Sequence, residues 1–176
     1  MDHNIFLLGY TTPVWKDYNI STLALSAPGN PNAPDIGTLD TTNIRIPLWD
    51  NGEEISSVLE INHDYQEGTL LYPHLHILPT TAGSGTVGFS LEYSAREDTD
   101  IVGATITKEI TVNNQAWNEI RISFDPIDLS TVAFIGTQLF FRLFRAVDTY
   151  AADVATATVG FHILTNTRGS RQIATK

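Results

Sequence analysis

His63-Asp64-Tyr65-Gln66-Glu67-Gly68-Thr69-Leu70-Leu71-Tyr72-Pro73-His74-Leu75-His76-Ile77-Leu78-Pro79 runs from a turn rich in acid and glycine into an extended segment. Thr80-Thr81-Ala82-Gly83-Ser84-Gly85 then reverses the chain, and Val87-Gly88-Phe89-Ser90-Leu91-Glu92-Tyr93 returns with strict alternation of apolar and small or polar residues. Two period-two runs joined by a Gly/Ser/Thr loop are the signature of a β-hairpin. Side chains two apart on a strand share a face, so His74 and His76 point one way while Leu75 and Ile77 point the other. Two imidazoles together on a sheet surface mark either a site or an interface.

Outward from this hairpin the same pattern repeats. Asn43–Leu48, Ser57–Asn62, Thr69–Leu78, Thr86–Ala95, Thr105–Val112, Asn118–Asp125, Gln138–Asp148 and Thr156–Asn166 each alternate, and turn chemistry such as Asp50-Asn51-Gly52 and Asn113-Asn114 separates them. In the fourth run Val87, Phe89, Leu91 and Tyr93 are expected inside, and in the fifth the inward set carries one lysine, Lys108. Gln138–Asp148, with aromatics on both faces, reads as a strand that is central or covered on both sides. One short helical turn is expected around Ile127–Val132. About eight strands with little but turns between them predict an all-β antiparallel β-sandwich, with a jelly roll the natural closure at that count.

The domain organisation expected is an extended Pro/Gly-rich N-terminal arm over 1–42, a β-sandwich over 43–166 and a polar tail over 167–176. Pro13, Pro28, Pro31 and Pro34 fall in the arm, where the missing backbone donor argues against a helix or a central strand. Its anchors, Val14-Trp15-Lys16-Asp17-Tyr18 and Leu23-Ala24-Leu25, are expected either to tuck against their own domain or to dock on a neighbouring subunit.

With 176 residues and 42% apolar composition the chain suits one domain with a proper core. A formal net charge of −10 leaves no general basic surface for nucleic acid. Cysteine is absent, which removes disulfides and thiolate chemistry. The short apolar run near the N-terminus has no basic segment before it, so no secretory signal is expected, and no stretch approaches the roughly 20 apolar residues of a membrane span.

Among chemical signals the sharpest is Gly68-x5-His74-x-His76, the spacing of the first half of a cupin metal motif, with His162 as a third imidazole. The glutamate that pattern needs after the second histidine is replaced by Thr80 and Thr81, and the glycine and proline expected before His162 are missing. A metal on His74, His76 and His162 is therefore the minority expectation, set against a packed or hydrogen-bonded pair at a surface or subunit contact, which His63 and Asp64 could join. No cofactor is expected. Glu53-Glu54, Asp98-Asp100 and Asp125-Asp128 are expected at turns, where acids are solvated and cap backbone; the strand runs carry few acids, Glu60 and Glu92 among them, which is thin material for a glycosidase pair. Tyr10, Trp15, Tyr18, Trp49, Tyr72 and Trp117 could stack on sugars, although such residues more often lie partly buried or at interfaces.

The run His63-Asp64-Tyr65, Gly68-Thr69, Pro73-His74-Leu75-His76, the strand Val87–Tyr93, and the late Gly160-Phe161-His162 with Arg168-Gly169-Ser170-Arg171-Gln172 resemble a group of small β-rich virion structural proteins of tailed bacteriophages. The likeness spans about 43–176 and departs at Ile77, where that group is usually aromatic. It implies a non-enzymatic virion component that assembles on the head, neck or tail and docks on other virion proteins. Since symmetry multiplies one contact into several, a homo-oligomer, a trimer for preference, is expected, and without a secretory signal it is expected to be made in the host cytoplasm. Trp15, Tyr18, His63, Tyr72, His74 and His76 are the interface candidates. Two other readings stay open: a cupin-like metal protein or enzyme, and a carbohydrate- or receptor-binding module recognising a host surface glycan.

Overall fold

The computed structural model describes residues 13–24, 31–97, 100–130 and 136–165. Within them lie eleven strands: β1 (Val14–Ser21), β2 (Asp35–Thr38), β3 (Arg45–Trp49), β4 (Glu54–Glu60), β5 (Leu70–Pro79), β6 (Ser84–Glu97), β7 (Asp100–Asn113), β8 (Ile120–Ser123), β9 (Ile127–Asp128), β10 (Gln138–Asp148) and β11 (Val154–Thr165). A single turn of 3-10 helix, Thr22–Ala24, follows β1. Every strand pairing is antiparallel.

The strands make two sheets. A front sheet runs β2-β3-β11-β5-β8, with β1 alongside β11 and β9 on β5, and a back sheet runs β4-β10-β6-β7. Setting aside β1, β2 and β9 leaves two four-stranded sheets between which the chain repeatedly crosses, the strand order of a jelly roll. The expected all-β sandwich is therefore the observed fold.

Alternation explains why the sheets pack. On β6 Val87, Phe89 and Leu91 are completely buried, and on β5 Leu71, Leu75 and Ile77 are too. They meet Trp49, Leu139, Leu143 and Phe161 in one core shared by both sheets. Each large side chain removed from water contributes about 1.5–3 kcal/mol, so this layer supplies most of the cohesion. The Trp49 indole donates to Thr156 Oγ1 at 2.7 Å, satisfying the one polar atom it takes inside. Trp49 is thus a core residue and no candidate for sugar stacking. At the Asp50-Asn51-Gly52 turn Gly52 takes φ 86°, a left-handed conformation that favours glycine.

Arg145 was not legible as a core residue, yet it is 1% exposed on the inward face of β10. It pairs with Asp148, donates to the Trp49 carbonyl, and reaches the carbonyls of Tyr150 at 3.0 Å and Ala152 at 2.9 Å. One buried guanidinium thereby ties β3, β10 and the approach to β11 at one end of the sandwich through its two terminal nitrogens, its charge matched by Asp148.

Two expectations need correction. The arm over 1–42 is not simply an arm: residues 14–21 form a strand paired along β11 from Val14↔Thr165 to Ser21↔Thr158, and β2 pairs with β3. The run from Pro31 to Pro34 keeps out of both strands, as the missing donors require, whereas Pro28, Leu25 and Tyr10 lie outside the described residues. The helical turn at Ile127–Val132 is replaced at its start by β9, where Ile127 is buried opposite Leu71; Val132 lies outside the described residues. β10 is central in its sheet, as its apolar character implies, with its outer face open, since Phe140 remains 46% exposed. Asp98, Asn166 and the tail over 167–176 also lie outside the described residues. Among those described, no helix is long and apolar enough to cross a membrane.

Candidate functional site

Register builds the site on the outer face of the front sheet. Asp17 of β1 stands opposite His162 of β11, and Asn19 opposite Gly160. Across β11 and β5, Gly160 stands opposite His74 and His162 opposite Tyr72. Beyond β5, His74 faces Ser123 and His76 faces Arg121 on β8. Four strands thus deliver Trp15, Asp17, Asn19, His162, Tyr72, His74, His76, Arg121 and Ser123 to one surface, because odd positions of β1 and even positions of β5 and β11 all point outward.

Gly160 decides where His74 lies. A Cβ placed there would sit 2.3 Å from His74 Cε1 and 2.4 Å from its Nε2, so the imidazole occupies the space a side chain would fill. That position buries the ring to 2% exposure although it belongs to the outer face. His162 stacks on it with centroids 4.4 Å apart and planes 21° apart, and His76 meets it edge-on at 5.1 Å. Asp17 Oδ2 lies 3.6 Å from His74 Nε2 and 3.7 Å from His162 Nε2. Both exceed a normal hydrogen bond.

Burial pushes the His74 pKa below the usual imidazole value, Asp17 opposes that, and the neighbouring His162 and His76 reinforce it. The Tyr72 backbone also favours the protonated ring, yet no bond of normal geometry reaches Nδ1, which is buried without a partner. A buried, unpaired ring nitrogen costs free energy until something binds it.

Beside the histidines is a hollow of about 420 Å³, lined by Trp15, Tyr72, Pro73, His74, Arg121, Ser123, Phe124 and His162. Trp15 is 55% and Tyr72 38% exposed, and their rings meet edge to face at 5.3 Å. Two large aromatic surfaces therefore stand open to solvent beside imidazole, guanidinium and hydroxyl groups. Pockets of roughly 300–1,000 Å³ with apolar walls and a few polar groups are the usual form of a small-ligand site.

The residues singled out in the sequence divide. Trp15, Tyr72, His74, His76 and His162 come together here. Of the three imidazoles expected to hold a metal, His74 and His162 converge with Asp17, their ligand atoms lying within 4.8 Å of one another. His76 instead turns to Glu119, with Nδ1 and Oε1 2.8 Å apart. Tyr18 points to the opposite face of β1, where its hydroxyl donates to Asp64 Oδ1 at 3.1 Å and Lys16 also reaches Asp64. His63 lies exposed in the β4–β5 turn, while Asp64 faces Lys16 and Tyr18 instead of the imidazoles. Asp17 escaped the sequence reading because it lies 57 positions from His74 and becomes a neighbour only through β1–β11 pairing. Gly160 carried a usable signal, being the one residue without a side chain in the alternating run Val159–Leu164. The carboxylates of Glu54 and Glu92 both grip Arg142 on the back sheet.

No family model matches the chain, and no curated protein is similar to it in sequence. Among solved structures, the chain is similar to the CBM36-1 domain of a multidomain xylanase from the hindgut metagenome of Trinervitermes trinervoides, at 9% identity and TM-score 0.48, covering 83% of this chain and 96% of that one. It is similar to the CBM22-2 xylan-binding domain of Paenibacillus barcinonensis Xyn10C at 12% identity and TM-score 0.45, covering 83% and 98%. A third is the CBM35 from Cellvibrio japonicus Abf62, at 7% identity and TM-score 0.40, covering 86% and 99%. Likenesses this distant carry no argument about ligand or activity.

Proposed function

We propose that the chain is a non-catalytic recognition module that binds carbohydrate on the outer face of its front sheet. The observation that carries this is the Trp15–Tyr72 pair, exposed and edge to face, at a 420 Å³ hollow whose remaining polar lining is imidazole, guanidinium and hydroxyl. Sugar rings present C–H faces that stack on such aromatics, and their hydroxyls need donors and acceptors beside them. His162, Arg121 and Ser123 supply both. Among the described residues no carboxylate lines the hollow, which suits binding better than glycoside hydrolysis.

Titration with gluco-, xylo- and galacto-oligosaccharides, followed by tryptophan fluorescence, tests the reading. Trp15 is the most exposed indole described, whereas Trp49 is fully buried, so a bound sugar shifts an emission component that Trp15→Phe removes. An emission indifferent to every sugar overturns the proposal.

A second reading, the virion component that assembles from copies of itself, is favoured by β1. Among the described residues only β11 pairs with it, and Val14 and Trp15 are exposed there, 44% and 55%. An unpaired edge is a template for another strand. Light-scattering mass at micromolar concentration decides: a trimer supports assembly, and a strict monomer counts against it.

A further inference from the structure

We infer that Asp17, His74 and His162 form a binding site for one divalent first-row transition metal ion of the zinc class. The inference stands on these three ligand atoms and is independent of the carbohydrate reading.

Three strands bring the ligands together, β1, β5 and β11, with β11 between the other two. Asp17 Oδ2 sits 3.6 Å and 3.7 Å from the two Nε2 atoms, too far for hydrogen bonds. Ligands about 2.0–2.2 Å from a tetrahedral ion stand roughly 3.4 Å from one another, so the separations are close to those a central ion sets. The backbone positions of the donors and the His74 ring are preorganised, because β1 and β11 are paired through eight consecutive positions and Gly160 fixes the bed of that ring.

His74 presents its ligand atom from a buried position. Its side chain is 3% exposed, and its Nε2 has only the overlong approach to Asp17. Natural proteins seldom leave a buried polar ring in that condition. His162, with 36% of its side chain exposed, is the ligand able to turn, tilting out of its stack to aim a lone pair at the ion while His74 stays in place.

Ligand chemistry selects the ion. Two imidazoles and one carboxylate suit zinc, cobalt, nickel or iron, whereas magnesium and calcium prefer oxygen alone. Three protein ligands leave a fourth position for water or for a ligand oxygen in the adjoining hollow. His76 is excluded by its contact with Glu119, so the His-x-His pair is divided between two tasks.

The experiment uses the full chain purified without a histidine tag, stripped with chelator, and titrated with zinc chloride by calorimetry; cobalt is then added for its visible spectrum. One zinc per chain, a four-coordinate cobalt spectrum and a higher Tm with zinc are expected. Asp17→Ala and His162→Ala, both at partly exposed positions and so compatible with folding, each weaken zinc about 100-fold or more, and His76→Ala changes it less than about threefold. Circular dichroism of each variant establishes that the fold is intact. No zinc binding by the native chain overturns the inference, and so does binding that survives Asp17→Ala and His162→Ala or disappears with His76→Ala.

Discussion

The two outer faces of the sandwich follow the same period-two rule and end in opposite conditions. On the back sheet Arg142 donates to Glu54 at 2.5 Å and to Glu92 at 2.8 Å, and its guanidinium lies 4.5 Å above the Phe144 ring. Every charge in that group has a partner within the chain. On the front sheet Asp17, His74 and His162 approach one another without bonding, and a buried nitrogen is left over. A face whose polar groups satisfy each other needs nothing further, whereas one that brings them close without bonding is prepared for a ligand. On the front sheet the room for the buried His74 ring comes from Gly160.

The largest expected effect comes from closing that gap. Gly160→Val drives a side chain into the His74 ring and costs about 1–3 kcal/mol by overpacking, which chemical denaturation measures, and it abolishes zinc binding. If the variant keeps both native stability and the ion, the front face is not organised by this glycine.

Next is the control on the opposite face. Arg142→Ala removes two partly exposed ion pairs and one ring contact, worth together about 1 kcal/mol after solvent screening, and leaves zinc and sugar binding unchanged. A change in either binding would mean that the two faces are coupled.

A smaller effect concerns the strand that carries Trp15 and Asp17. Burial opposes ionisation of Asp64, but its hydrogen bonds from Lys16 and Tyr18 outweigh this and hold its pKa below the usual carboxylate value. A carboxyl depressed on folding stabilises the fold above its unfolded pKa, near 3.8–3.9, and that contribution disappears as pH falls through the folded value. Asp64→Asn therefore lowers Tm by about 2–4 °C at pH 7, and the difference from the native chain fades below about pH 4. Thermal melts of the two proteins from pH 2.5 to 7 check this; an offset that persists at the acid end removes the ionic account.

Much of the fold was open to sequence reading, because alternation is local: the bounds expected for Gln138–Asp148 coincide with β10, and the inward set on β6 is the one observed. Where long-range pairing decides, the reading stopped. Pro and Gly around β1 suggested a loose arm, while the strand exists because β11 offers an edge about 140 residues later. Ile127–Asp128 looked helical from its spacing and became extended by pairing with Leu70 and Leu71. Two of the three proposed ligands, His74 and His162, were legible, since histidines on outward positions are conspicuous. Asp17 was hidden among acids that all look solvated until a sheet places one of them between two imidazoles.

A glycan array probed in parallel with the native chain, Trp15→Ala and Phe140→Ala tests most directly whether the front face does the binding. Both substitutions remove an exposed ring, one from each sheet, so surface hydrophobicity changes alike. The account predicts glycan hits for the native chain that Phe140→Ala retains and Trp15→Ala loses. A native chain without hits, or hits that persist in Trp15→Ala, contradicts it.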